Sequence, residues 1–236
     1  MSFDEYFGNF LLAKRFQSVK SIYICPMTHD KRKEIELIGS VAQLFMRLGI
    51  KSLTMDEIAR QLGVSKKTLY KYASDKKELV TKAVQLAIDE EECVMSEMHK
   101  AEGSAIDKIF AINAMISEKL QSIQPAVIFD MQKYYPEAWA IMEEHKCVFI
   151  HNQVKENLEE GIKEGLYRKN MNPELVTRIY VTLINSIFDS SLYSLSSHSF
   201  KETHTEVARY HLRGITNEKG VKFMQQLFNN TNSDII

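Results

Sequence analysis

Apolar residues return at three- and four-residue steps from Lys31 onward. Ile35, Ile38, Ala42, Phe45 and Leu48 form one stripe, and Gly49 stops it. This is the spacing of an amphipathic helix with one core-facing side. Thr54 stands three residues before Glu57, the spacing at which a hydroxyl and a carboxylate satisfy two free N–H groups at a helix start. A short helix carrying Ile58, Ala59 and Leu62 is predicted there. Gly63-Val64-Ser65 breaks it: glycine accepts the left-handed conformation that closes a helix, and Ser65 suits the cap of the next one. That second short helix is expected to bury Val64 and Leu69. Asp75 and Glu78 repeat the capping spacing ahead of a longer helix through Leu79, Ala83, Leu86 and Ala87.

Past residue 100 the pattern stays helical. Ile106, Ile109, Ile112 and Ile116 mark one segment, and Val127, Phe129 and Met131 a second before Pro136. A long helix carries Trp139, Met142, Phe149, Gln153, Leu158 and Ile162 and ends at Gly165. Asn172-Pro173 opens another, with Val176, Ile179, Tyr180, Leu183, Ile187 and Phe188, expected to run to about Ser197. Residues from about Lys201 to Gly214 and from Asn217 to Phe228 supply the last two. Only 9 Gly and 4 Pro occur in 236 residues, so breakers are scarce and an all-α fold is predicted. Residues 1–30 lack a clean stripe despite Phe3, Tyr6, Phe7, Phe10, Leu11 and Leu12. Two readings stand for them: an upstream extension of 1–26 with Met27 as the natural start, or an extra helix packed on the body.

Composition narrows the class. At 44% apolar and 26% charged residues the chain resembles an average soluble protein. No stretch approaches the roughly 20 uncharged apolar residues of a membrane span. Asp4, Glu5, Lys14, Arg15 and Lys20 break up the N-terminal apolar run, which is no signal-peptide layout. Cys25, Cys93 and Cys147 are widely spaced and odd in number, fitting neither a disulfide framework nor a metal site, so a cytoplasmic setting is expected. His145 and His151 lie six apart, a poor spacing for two ligands on one helix face. With no Gly-rich phosphate loop, no H-E-x-x-H and no Cys motif, neither an enzyme nor a cofactor or metal is expected. Charge is more informative once divided. Residues 31–82 hold 12 Lys/Arg against 6 Asp/Glu, and residues 83–236 hold 15 against 22. A short basic segment on a long acidic body suits a nucleic-acid-binding head.

Two short helices around a Gly-containing turn, the second basic and aromatic, make a helix-turn-helix. The first braces on the phosphate backbone while the second enters the major groove. Ala59 gives the small residue their crossing needs, and Lys66, Lys67, Thr68, Tyr70 and Lys71 face outward. The run Phe45-x3-Gly49, Leu53-Thr54-Met55-x2-Ile58-Ala59, Leu62-Gly63-Val64-Ser65-Lys66-x-Thr68-Leu69-Tyr70-x-Tyr72, Lys76-x2-Leu79 resembles the N-terminal domain of the TetR family. The resemblance covers about residues 33–80. Ala73 stands where the family usually has Phe, Val41 where Ala is common, and Lys67 where a small residue is usual.

The resemblance implies a DNA-binding domain at 31–80 and a helical ligand-binding and dimerisation domain at 81–236. It implies phosphate contacts by Thr54, Tyr72 and Lys76, and groove contacts by Lys66, Lys67, Thr68 and Tyr70. The partners it implies are a palindromic double-stranded DNA operator, a second copy meeting through about residues 174–214, and an unknown small-molecule inducer of a repressor, with an activator or adaptor as the alternative role within the class. Leu183 and Ile187 are expected in the dimer seam, with Ser186, Ser190 and Ser194 allowing close approach, although the same face also reads as ordinary core. Phe129, Trp139, Met142 and Phe149 are candidate pocket residues, although such stripes also serve as plain core. A helical scaffold that binds no specific DNA is the alternative reading; it leaves the basic segment and its motif unexplained.

Overall fold

The computed structural model describes residues 29–189 and 198–229, so the expectations for the N-terminal segment, and for Ser190 and Ser194, lie outside the described residues. The described residues form eleven α-helices and no strand; an isolated antiparallel bridge joins Tyr167 and Thr216. No helix among them is long and apolar enough to cross a membrane.

The chain forms two compact units. Among the described residues the first takes 29–93 with 122–145, and the second takes 94–121 with the rest from Lys146 onward. Residues 122–145 therefore group with the helix-turn-helix, where the sequence reading assigns them to the body.

In the first unit α1 (His29–Leu48) buries Ile38, Val41, Leu44 and Phe45; Ile38 and Phe45 belong to the predicted stripe, while Ile35 and Ala42 are intermediate and Leu48 is exposed. Gly49 follows at φ 82°, a conformation that only glycine adopts without strain. Two short helices, α2 (Met55–Gln61) and α3 (Lys66–Tyr72), pack on each other. The N-terminal part of α4 (Lys76–Lys100) follows, burying Leu79, Val80 and Ala83. Two later helices complete the unit, α6 (Pro125–Tyr134) and α7 (Pro136–His145). On α6 the buried face is Val127, Ile128 and Met131, while Phe129 is exposed. Two helical residues apart is about 200° of rotation, so Val127 and Phe129 do not share a face.

The second unit is built from α5 (Ala105–Ser122), α8 (His151–Lys163), α9 (Pro173–Ser186), α10 (Phe200–Ile215) and α11 (Glu218–Asn229). A π-helical turn, Lys146–Ile150, links α7 to α8. The core gathers Ile106, Ile109, Phe110, Leu158, Tyr167, Leu212 and Ile215. Gly161 is essential to it: a Cβ there would sit 2.2 Å from the Tyr167 ring. That fully buried ring lies against bare helix backbone, and its hydroxyl donates to Asn157 Oδ1 at 3.1 Å. Asn172 caps α9 as predicted, but α9 ends at Ser186 and does not run to Ser197. Ile187 caps that end and is 1% exposed. It is core, so the expectation that it forms part of a dimer seam is corrected.

Candidate nucleic-acid interface

The two short helices are fixed by caps that close within a few residues. The Glu57 N–H donates to Thr54 Oγ1 at 3.2 Å, and the Glu57 carboxylate accepts the Thr54 N–H at 2.7 Å and its hydroxyl at 2.8 Å. These bonds hold the Glu57 carboxyl below the usual range, the backbone one most. At the other end of α2 the Val64 N–H donates to Ala59 O at 3.0 Å and the Gly63 N–H to Arg60 O at 3.2 Å. With Gly63 at φ 67°, this is the Schellman closure. Ser65 then caps α3, accepting the Thr68 N–H at 3.0 Å. At the third start the Glu78 N–H donates to Asp75 Oδ1 at 2.9 Å, but the Glu78 carboxylate accepts from the N–H and hydroxyl of Ser74. Those bonds hold Glu78 at about 2.

Helix α3 divides by angle. Lys66, Lys67, Tyr70 and Lys71 fall within about 140° of arc at 100° per residue, and all four are exposed. Leu69 and Tyr72 fall on the opposite side and are buried, with Thr68 intermediate at the border. The exposed arc thus carries three ammonium groups and a phenol on a helix narrow enough for the major groove.

The individual groups are not equally free. Lys66 is paired with Asp56 at 2.6 Å. Lys71 is paired with Asp30, which also accepts from the Tyr72 hydroxyl at 3.2 Å. Thr68 Oγ1 lies 2.8 Å from Ser65 Oγ. The Thr54 hydroxyl already donates to Glu57, so donation to a phosphate requires that bond to open. Lys76 is half-buried, and burial holds its pKa below the ordinary value. Its ammonium reaches the Lys51 carbonyl at 3.4 Å.

Three residues that no sequence pattern marks hold the turn ahead of α2. The carboxylate of Asp130, 7% exposed, accepts the Lys51 N–H at 2.7 Å. Tyr134 OH accepts from Lys51 Nζ at 2.9 Å, and Gln124 Nε2 donates to Arg47 O at 2.7 Å. Lys82 adds a tie, pairing with Glu34 at 3.2 Å and Glu78 at 3.3 Å. Ala73, where the resemblance implies Phe, is buried and ends α3 in an extended conformation.

The four candidate pocket residues are not brought together in one unit. Phe129, Trp139 and Met142 belong to the first and Phe149 to the second. Phe129 is 47% exposed, with Lys133 Nζ 5.2 Å from its ring centre. Trp139, Met142 and Phe149 are partly buried.

Comparison with known proteins agrees with this geometry. Residues 38–83 match the family model described as bacterial regulatory proteins, tetR family. The HTH-type transcriptional regulator YvaF of Bacillus subtilis (strain 168) is 26% identical over 163 residues, covering 68% of this chain and 81% of its own. A transcriptional regulator from Cytophaga hutchinsonii ATCC 33406 shares the fold with a TM-score of 0.64 and 20% identity, over 78% of this chain and 99% of its own. A regulator from Saccharomonospora viridis, solved in complex with choline, does so with a TM-score of 0.58 and 13% identity, over 80% and 99%.

Proposed function

We propose that this chain, which carries the DNA-binding domain of the TetR family of bacterial transcriptional regulators, is a cytoplasmic repressor that grips a palindromic operator as a homodimer and releases it when a small molecule binds. The outward arc of α3 carries the reading: Lys66, Lys67, Tyr70 and Lys71 point away from a helix that Leu69 and Tyr72 pin in place. The Lys67 side chain makes no hydrogen bond or ion pair among the described residues, which suits a side chain kept for a base edge. Lys76 lies beyond the arc as a phosphate contact, the Tyr72 hydroxyl reaches a phosphate once its bond to Asp30 opens, and Thr54 joins them at the start of α2. The dimer rests on exposed apolar side chains of the second unit. Leu175 and Ile179, one turn apart on α9, are 58% and 60% exposed, and Tyr210 on α10 is 73% exposed. Large apolar groups left in water on late helices are what a helical seam between copies requires. The choline held by the Saccharomonospora viridis regulator supports a small-molecule effector.

The test is selection of bound DNA from a random pool by the purified protein. An inverted repeat should emerge, with recognition helices about 34–36 Å apart or somewhat more. Lys67→Ala should relax the preference at one base pair of each half-site, because a good base contact discriminates by roughly 1–3 kcal/mol. A pool that returns no enriched sequence rules the regulator reading out.

A further inference from the structure

A band of polar side chains runs through the interior of the second unit. It takes Asn113 and Ser117 from α5, Thr177 and Tyr180 from α9, and His204 and His211 from α10, each more than nine-tenths buried. The Tyr180 hydroxyl donates to Asn113 Oδ1 at 3.3 Å. The His211 ring stacks on Tyr180 with centroids 3.8 Å apart and planes within 15°. Ser117 Oγ lies 3.1 Å from His204 Nδ1. These contacts leave three buried atoms without a partner: Asn113 Nδ2, Thr177 Oγ1 and His211 Nε2.

Buried polar groups in folded proteins are nearly always paired, because an unmet donor or acceptor gives up its bond to water for nothing. Here two of the unmet groups touch one tyrosine, Asn113 at its hydroxyl and His211 at its face. Thr177 precedes that tyrosine by one turn on the same helix. Close packing alone would place leucine or valine at such positions. Where a sequence breaks the packing rule in a cluster, a functional site is the expected cause.

We propose that this band is the effector site of the second unit, and that its ligand is an uncharged, flat small molecule carrying a carbonyl-type acceptor and a hydroxyl. The proposal rests on the ligand-responsive reading above and gives it a place and a chemistry. The carbonyl oxygen accepts from Asn113 Nδ2. The hydroxyl meets His211 Nε2 or Thr177 Oγ1, and the stacked ring pair favours a flat frame. Burial pushes both imidazoles down to about 4, so neither supplies a positive charge near neutral pH. Among the described residues no charged side chain hydrogen-bonds to any of the six. An anionic or cationic ligand would thus be stripped of water with no counter-charge in return.

The test uses the full chain with ¹³Cε1-labelled histidine, observed by NMR and titrated with 4-hydroxyacetophenone. Two controls share its frame: ethylbenzene has no polar group, and 4-hydroxybenzoate carries a charge. The His211 signal, assigned through His211→Phe, should shift saturably with 4-hydroxyacetophenone and far less with either control. The double variant Asn113→Leu/Tyr180→Phe removes the free donor together with the hydroxyl that would be stranded. It should weaken binding at least tenfold while raising the thermal midpoint. Thr177→Val, a change of nearly equal volume, should move both quantities the same way by less. Absence of a response, an equal response to all three probes, or unchanged affinity with a lowered midpoint in both variants overturns the proposal. A gel shift on the selected operator keeps the two readings apart. Wild-type protein that binds the operator but shows no histidine response loses only this site, and protein that binds no DNA loses the regulator reading.

Discussion

Asp30, near the start of α1, holds part of the interface back. Its carboxylate accepts from the Lys71 ammonium and from the Tyr72 hydroxyl. The Lys71 hydrogen bond is the main cause that holds the Asp30 carboxyl below its ordinary value, so it is ionised wherever DNA binding is measured. A phosphate must compete with that carboxylate for Lys71. Asp30→Asn removes the charge but keeps a carbonyl oxygen for Tyr72. The ion pair is 53% and 62% exposed at its two ends, a class of pair that adds little to stability, so folding should be unaffected. A freed lysine that neutralises one more phosphate releases about 0.9 of a counterion, worth at most about eightfold in affinity at about 0.1 M salt. The expected result is binding tightened by about three- to eightfold, with a log–log salt slope steeper by about 0.9. Fluorescence anisotropy of a labelled operator at several salt concentrations measures both, for wild type, Asp30→Asn, Lys71→Ala and the double variant. The gain should vanish when Lys71 is absent. Weaker binding by Asp30→Asn, or an unchanged slope, would show that the carboxylate positions α3 and would refute the competition argument.

Three other outcomes are expected. Gly161→Ala gains up to about 1 kcal/mol of helix propensity, but its methyl would lie 2.2 Å from the buried Tyr167 ring. Overpacking of that kind costs about 1–3 kcal/mol or more, so the thermal midpoint followed by circular dichroism should fall by a few degrees; a rise would mean that the ring yields freely. Ile179→Asp should turn a dimer into a folded monomer by light scattering, and a persistent dimer would place the seam on another surface. Burial alone would lower the pKa of His145, but the carboxylates of Glu91 at 3.2 Å and Glu92 at 2.9 Å outweigh it and raise the value. Its contribution to stability is complete below the unfolded value and is lost as pH rises through the higher folded one. Denaturant midpoints from about pH 6 to about pH 9 should therefore fall more for wild type than for His145→Gln; parallel profiles would exclude the effect.

Elements whose bonds close within about one turn are legible in the sequence. Thr54 with Glu57, Gly63, and Ser65 with Thr68 each settle their partners within six residues, so spacing and residue type suffice to read the helix-turn-helix and most of its exposed arc. Asp130, Tyr134 and Gln124 are different: their partners lie 79, 83 and 77 residues away. Nothing local separates Asp130 from an ordinary solvated carboxylate, and only the folded chain brings it to the Lys51 N–H. Ile187 fails for a related reason. Periodicity continues the stripe through it, but the helix ends at Ser186 and carries Ile187 into the core. The polar band of the second unit is the deepest case. Apolar periodicity finds helices by treating polar positions as outward-facing, and on that rule Asn113, Thr177, His204 and His211 belong in water. All four are buried. A side chain that binds by leaving a hydrogen bond open inside the protein must break the pattern by which its own helix is recognised, so the residues that sense a ligand are the ones hydrophobic spacing is least able to find.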